Sequence, residues 1–118
     1  APLVYGFSQG GMLALELLGS KPSCCSGIAA LSARIVRTPE TPLVSGKMPV
    51  LLTAGAQDTI VSIAETVQAQ KRLEKAGHTV ELITFDGRHS VPSKVSAGLR
   101  RYIQSRLGLE PKKEPAQR

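Results

Sequence analysis

The sequence predicts an α/β fold of about four parallel strands with flanking helices, and three observations carry that expectation. Short apolar runs recur four times, at Leu3-Val4-Tyr5, 27–32, 49–55 and 80–85. Each is followed by a segment of helical period or by a long loop, and such alternation demands a parallel sheet, because successive strands return by right-handed crossovers. A length of 118 residues with 42% hydrophobic content fits one soluble globular domain around one core.

The first run breaks at Gly6-Phe7-Ser8-Gln9-Gly10 and resumes at helical spacing, which reads as strand, sharp turn and helix. A serine at the apex of such a turn is held in a strained backbone conformation with its hydroxyl exposed, while Gly6 and Gly10 let strand and helix approach without a Cβ between them. The first N–H groups of the helix point where Ser8 would attack, and there they favour a developing negative charge. Ser8 is the candidate nucleophile, and the backbone N–H of Gln9 the candidate oxyanion donor. Met12, Leu13, Leu15, Leu17 and Leu18 cover so much of the helix that burial on more than one side is expected. Gly19 and Lys21-Pro22 close it. The run 27–32 reads as a buried parallel strand. Residues 33–47 carry Pro39 and Pro42 and no sustained period, and form an excursion loop.

Residues 49–55 make the strongest strand, ending in Ala56-Gln57-Asp58-Thr59. Ser62 with Glu65 three residues later is a capping box that starts the next helix. Its inner face is Ile63, Thr66, Ala69, Leu73 and Ala76; Lys71, Arg72, Glu74 and Lys75 are expected in solvent, and Gly77 fits the cap. His78 follows in a turn and is expected at the surface. The strand 80–85 runs into Asp86-Gly87-Arg88-His89-Ser90, and Pro92 suits the first turn of the last helix. That helix carries an apolar stripe of Val95, Leu99, Tyr102, Ile103 and Leu107 opposite Lys94, Arg100 and Arg101, and Gly108 stops it. Residues 109–118 lack any apolar period and are expected to be a disordered charged tail on a domain spanning 1–108.

Composition excludes several classes. No run approaches the roughly 18 apolar residues that span a bilayer, and no signal-peptide pattern is present, so a cytoplasmic chain is expected. Adjacent Cys24 and Cys25 would form a strained disulfide and read as reduced thiols. His78 and His89, the only histidines, have no partner at a zinc-site interval, so no metal is expected. The net charge of +6 resides wholly in residues 88–118, but four aromatics offer little for base stacking, so a solvated helix face and tail is favoured over nucleic-acid binding.

Ser8, Asp58 and His89 each fall just past the carboxyl end of a different strand, the edge where ligands bind in open α/β sheets. A serine, a histidine to take its proton and a carboxylate to orient the imidazole are the residue types of acyl transfer through an acyl-serine. Asp86, three residues before His89, competes with Asp58 for the acid role but sits where a turn former is expected.

The string Gly6-Phe7-Ser8-Gln9-Gly10-Gly11 resembles the nucleophile elbow of the phospholipase/carboxylesterase family of α/β-hydrolases, which includes the acyl-protein thioesterases. The Gln after the serine and the doubled glycine are more specific than the generic pattern, and the order Ser, Asp, His is that of α/β-hydrolases. Asp58 and His89 stand at the family's acid and base positions, although Arg88 departs from the small residue usual before the histidine. The resemblance covers roughly residues 2–107 and implies a partial α/β-hydrolase fold, the C-terminal half of the domain. It also implies a serine esterase or thioesterase without cofactor, acting on a small-molecule ester or thioester, with an acylated protein as a further candidate substrate. The excursion would line the acyl pocket, making Ile35, Val36, Leu43 and Val44 candidate pocket residues. A chain that begins at Ala1 with a core strand looks like a piece of a longer polypeptide. The strand near Val4 would then be an exposed edge, open to a homodimer or to the missing N-terminal half. The alternative function is accordingly a catalytically incomplete half-domain serving as an association module.

Overall fold

The computed structural model describes residues 2–20, 25–38 and 43–109. In chain order its elements are β1 (Leu3–Phe7), α1 (Gln9–Ser20), β2 (Gly27–Leu31), β3 (Pro49–Gly55), α2 (Ile63–Lys75), β4 (Thr79–Phe85) and α3 (Ser93–Leu107). The four strands form one parallel sheet in the order β1-β2-β3-β4. Four parallel strands with flanking helices are the architecture expected, and the elbow strand lies at one edge of the sheet.

The side-chain period of two along the strands divides the core between the two faces of the sheet. Ile28, Ala30, Val50 and Leu52 pack on one face with Ala14, Leu15 and Leu18 of α1 and Ala69 and Leu73 of α2. Ala29, Leu31, Leu51, Ile83 and Phe85 pack on the other with Val95 and Tyr102 of α3. Because β2 and β3 are covered on both faces, their sequences are almost continuously apolar. Tyr102 pins α3 to the sheet by donating its hydroxyl to Pro49 O at 2.6 Å; burial pushes its pKa up to about 12. A Cβ at Gly27 would lie 2.6 Å from that hydroxyl, so Gly27 makes the room Tyr102 occupies.

The helix ends follow the local chemistry. Ser62 and Glu65 form the reciprocal capping box of α2, and Gly108 ends α3 in the left-handed region at φ 73°. Pro92 stands one residue earlier than expected, as the N-cap of α3, and its carbonyl receives the N–H groups of Val95 and Ser96. Leu107, expected in the apolar stripe, lies in the last turn and is exposed. Gln104 and Ser105 carbonyls of that turn accept the N–H groups of Leu109 and Gly108.

Three expectations are corrected. His78 is buried, not a surface turn residue. Its Nδ1 accepts the Met48 N–H at 3.0 Å, and its Nε2 donates to Val44 O at 3.0 Å, so the ring ties the end of the excursion to the turn between α2 and β4. Arg72 is half-buried rather than solvated, donating to Arg37 O at 2.8 Å and Thr38 O at 3.0 Å, because a guanidinium on α2 reaches the excursion's carbonyls. Finally, α1, expected to be buried on more than one side, is open on the side of Leu13. Leu13 is 70% exposed, since α1 packs on the sheet through Ala14, Leu15 and Leu18 and, among the described residues, nothing covers its opposite side. The expected helix stop at Lys21-Pro22, Cys24 and the tail from Glu110 onward lie outside the described residues; Cys25 is buried.

Candidate active site

Ser8 makes the turn between β1 and α1 alone. Its N–H donates to Leu31 O at 2.8 Å, still in the sheet, while its carbonyl already accepts the Met12 N–H of the helix at 2.9 Å. That abrupt change of direction sets φ at +56°, a left-handed conformation costing a non-glycine residue about 1–2 kcal/mol. A Cβ at Gly6 would fall 2.4 Å from Gly10 C, so strand and helix cross at Gly6 with no room for a side chain. The second close contact belongs to Gly11, where a Cβ would meet Ala33 Cβ at 2.8 Å. The role expected of Gly10 is corrected accordingly: a Cβ there meets nothing within 4 Å, because Gly10 faces away from β2. The N–H groups of Gln9, Gly10 and Gly11 precede the first intrahelical bond and remain outside the helix ladder.

Asp58 and His89 arrive on two loops zipped together beyond β3 and β4. Ala56 N–H donates to Phe85 O at 2.9 Å and Gln57 N–H to Gly87 O at 2.8 Å. A Cβ at Gly55 would lie 2.5 Å from the carbonyl oxygens of both Gly87 and Arg88, so the close passage of the loops requires glycine there. Asp58 Oδ1 accepts the N–H groups of Ile60 at 2.8 Å and Val61 at 2.9 Å, fixing the carboxylate plane. Its Oδ2 lies 2.7 Å from His89 Nδ1, and His89 Nε2 lies 2.7 Å from Ser8 Oγ. Asp86 is exposed, and the exposed Arg88 side chain leaves this arrangement intact.

The electrostatics fix the proton positions. Burial alone would raise the Asp58 carboxyl, but its hydrogen bonds with His89 and with the Val61 and Ile60 N–H groups prevail and hold it below the ordinary 3.8. Asp58 is therefore ionised at neutral pH and can only accept, so Nδ1 of His89 carries the hydrogen. In the neutral ring Nε2 is then the lone-pair nitrogen, and it faces the Ser8 hydroxyl as acceptor. The Phe7 ring, its centroid 4.8 Å from that of His89, covers one side of the imidazole. A hydroxyl against a fixed lone-pair nitrogen, beside N–H groups left outside the helix ladder, can lose its proton as it attacks an electrophilic carbon.

Ser8 and Gln9 open into a hollow of about 660 Å³ shared with Phe7, Met12, Arg34 and Ile60. None of the four expected pocket residues lines it. Ile35 and Leu43 pack partly against the core; Val44 is exposed and offers its carbonyl to His78; Val36 lines an adjoining hollow with Met12 and Leu13. Arg34 and Ile60 went unread in the sequence, though each follows the carboxyl end of a strand by a few residues, the same placement that marks Asp58. Among the described residues no His, Cys, Asp and Glu group could hold a metal ion, and no helix is long and apolar enough to cross a membrane.

A sequence model described as phospholipase/carboxylesterase matches residues 2–107. The chain is 33% identical over 95 residues to esterase YpfH of Escherichia coli strain K12, an alignment covering 80% of this chain and 40% of that protein. It superposes on Arabidopsis thaliana SOBER1 with a TM-score of 0.77 at 30% identity, over 89% of this chain and 52% of that one. On a Bacillus cereus carboxylesterase the TM-score is 0.82 at 21% identity, over 88% and 49%, a likeness of fold. The chain thus spans about half the length of these relatives.

Proposed function

Since the chain belongs to the phospholipase/carboxylesterase family, we propose that it carries the catalytic residues of a serine hydrolase that cleaves carboxylic ester or thioester bonds. The observation that carries this reading is the unbroken hydrogen-bonded line from Asp58 through His89 to Ser8, with both outer distances at 2.7 Å. Ser8 Oγ attacks the acyl carbon while its proton passes to His89 Nε2, and the carbonyl oxygen becomes an oxyanion facing the Gln9 N–H. The imidazolium so formed lies against the Asp58 carboxylate. Collapse of the tetrahedral adduct breaks the bond to the alcohol or thiol, which leaves with the proton from Nε2. Water then attacks the acyl-serine and gives a proton to His89, and release of the acid returns that proton to Ser8.

Intact mass after exposure to a fluorophosphonate ester tests the reading, with Ser8→Ala treated alongside. Such a reagent reports a serine already activated by its base. One adduct on the wild type and none on Ser8→Ala is the expected result. No adduct on a chain whose circular dichroism and cooperative melting show it to be folded would overturn it.

A second reading, an association module, is favoured by β1. This strand is a sheet edge with Tyr5 62% exposed, and Leu13 on the adjoining helix is 70% exposed. Unpaired strand groups beside apolar side chains are a template for a further strand, from a second copy or from the portion the longer relatives contain.

A further inference from the structure

Among the described residues Arg34 is the one cation in the hollow that contains Ser8, and it also lines a neighbouring groove of about 330 Å³ between the excursion and α2. Its surroundings leave it available. Arg37, also in the groove, is taken by Glu16, which accepts from its Nε at 3.1 Å and Nη2 at 2.8 Å. Arg72 holds the carbonyls of Arg37 and Thr38. The one ion-pair partner of Arg34 among the described residues is Glu65, 3.4 Å from its Nε, and Glu65 is already committed through Oε1 to the Ser62 backbone and hydroxyl in the capping box. The terminal nitrogens of Arg34 therefore remain as a planar donor fork, a geometry matched to carboxylate and phosphate-type oxygens.

Resting on the hydrolase reading of Ser8, we propose that Arg34 is a specificity residue that selects esters carrying an anionic oxygen group on the part lying over the hollow. The side chains of Arg34 and Glu65 are 40% and 44% exposed, and an ion pair so open to water holds its members weakly. An anionic oxygen group that meets both terminal nitrogens of Arg34 adds two parallel hydrogen bonds without displacing the capping box. The chain's net charge of +6 adds a long-range attraction of the same sign.

Initial rates on three p-nitrophenyl esters of matched length, with acyl chains ending in methyl, carboxylate and phosphonate, test this in the wild type, Arg34→Gln and Arg34→Glu. The preference for the anionic esters over the methyl ester, as a ratio of kcat/KM, is expected to fall roughly tenfold or more in Arg34→Gln and further in Arg34→Glu, mainly through KM. The larger fall identifies carboxylate or phosphonate as the better match. An unchanged ratio overturns the proposal, as does a wild type that favours the methyl ester. Calorimetric titration of Ser8→Ala with monomethyl glutarate keeps the two readings apart, because it needs no turnover. Binding that weakens about tenfold when Arg34→Gln is added supports the role of Arg34 even if no ester is hydrolysed, while no binding, or binding indifferent to Arg34, overturns it.

Discussion

At the scale of the residue, the backbone of Ser8 is as informative as its hydroxyl. The +56° φ stores local strain, tolerated because the Leu31 carbonyl on one side and the Met12 N–H on the other over-determine the turn. Comparing two substitutions isolates that strain, since both remove the hydroxyl's bond to His89. Ser8→Gly is expected to be more stable than Ser8→Ala by about 1 kcal/mol, because only glycine adopts this conformation freely. Urea midpoints measure the difference, and equal midpoints would show the turn to be unstrained. The positions of Ser8, Asp58 and His89 were legible in the sequence because each depends on local punctuation, a glycine pair or the end of an apolar run. Arg34 and Ile60 were not, because entry into the hollow depends on which way a loop side chain points once the strands are in register.

At the scale of the element, all four strands and three helices stood out from period and capping alone. What escaped was how the excursion is held. An isolated histidine after a helix stop looks like a surface residue, since nothing local reveals that Met48 N–H and Val44 O converge on its ring from 34 residues or fewer away. His78→Ala would leave both backbone groups without that partner, and a loss of about 1–2 kcal/mol is expected, because water can reach the carbonyl of the exposed Val44 while the half-buried Met48 N–H is harder to satisfy. Urea unfolding gives the total, and amide exchange at Met48 should accelerate beyond the global change. A cost below about 0.5 kcal/mol would mean the excursion is held by Leu43 and Arg72 instead.

At the scale of the whole molecule, the exposed Tyr5, in register with Ala29 on the α3 side of the sheet, and the exposed Leu13 of α1 on the other side flank the β1 edge from its two faces. If this edge serves association with a second copy, sedimentation of the wild type should show a concentration-dependent dimer, and Tyr5→Lys with Leu13→Glu should abolish it by placing charge on both sides of the edge. A wild type that stays monomeric across the micromolar range would remove the second copy as the occupant of this edge. The openness of α1 escaped sequence reasoning for a related reason: the spacing of leucines along a helix tells which side chains prefer burial but not whether this chain supplies the covering layer.

The spatial order of the strands is also their order in the chain, and Ser8 and His89 are 81 positions apart at opposite ends of that series. During synthesis Ser8 therefore emerges well before His89. On the proposed reading its base reaches it only once β4, the strand that leads into His89, has paired with β3, so until that pairing the serine is a silent nucleophile with an ordinary hydroxyl.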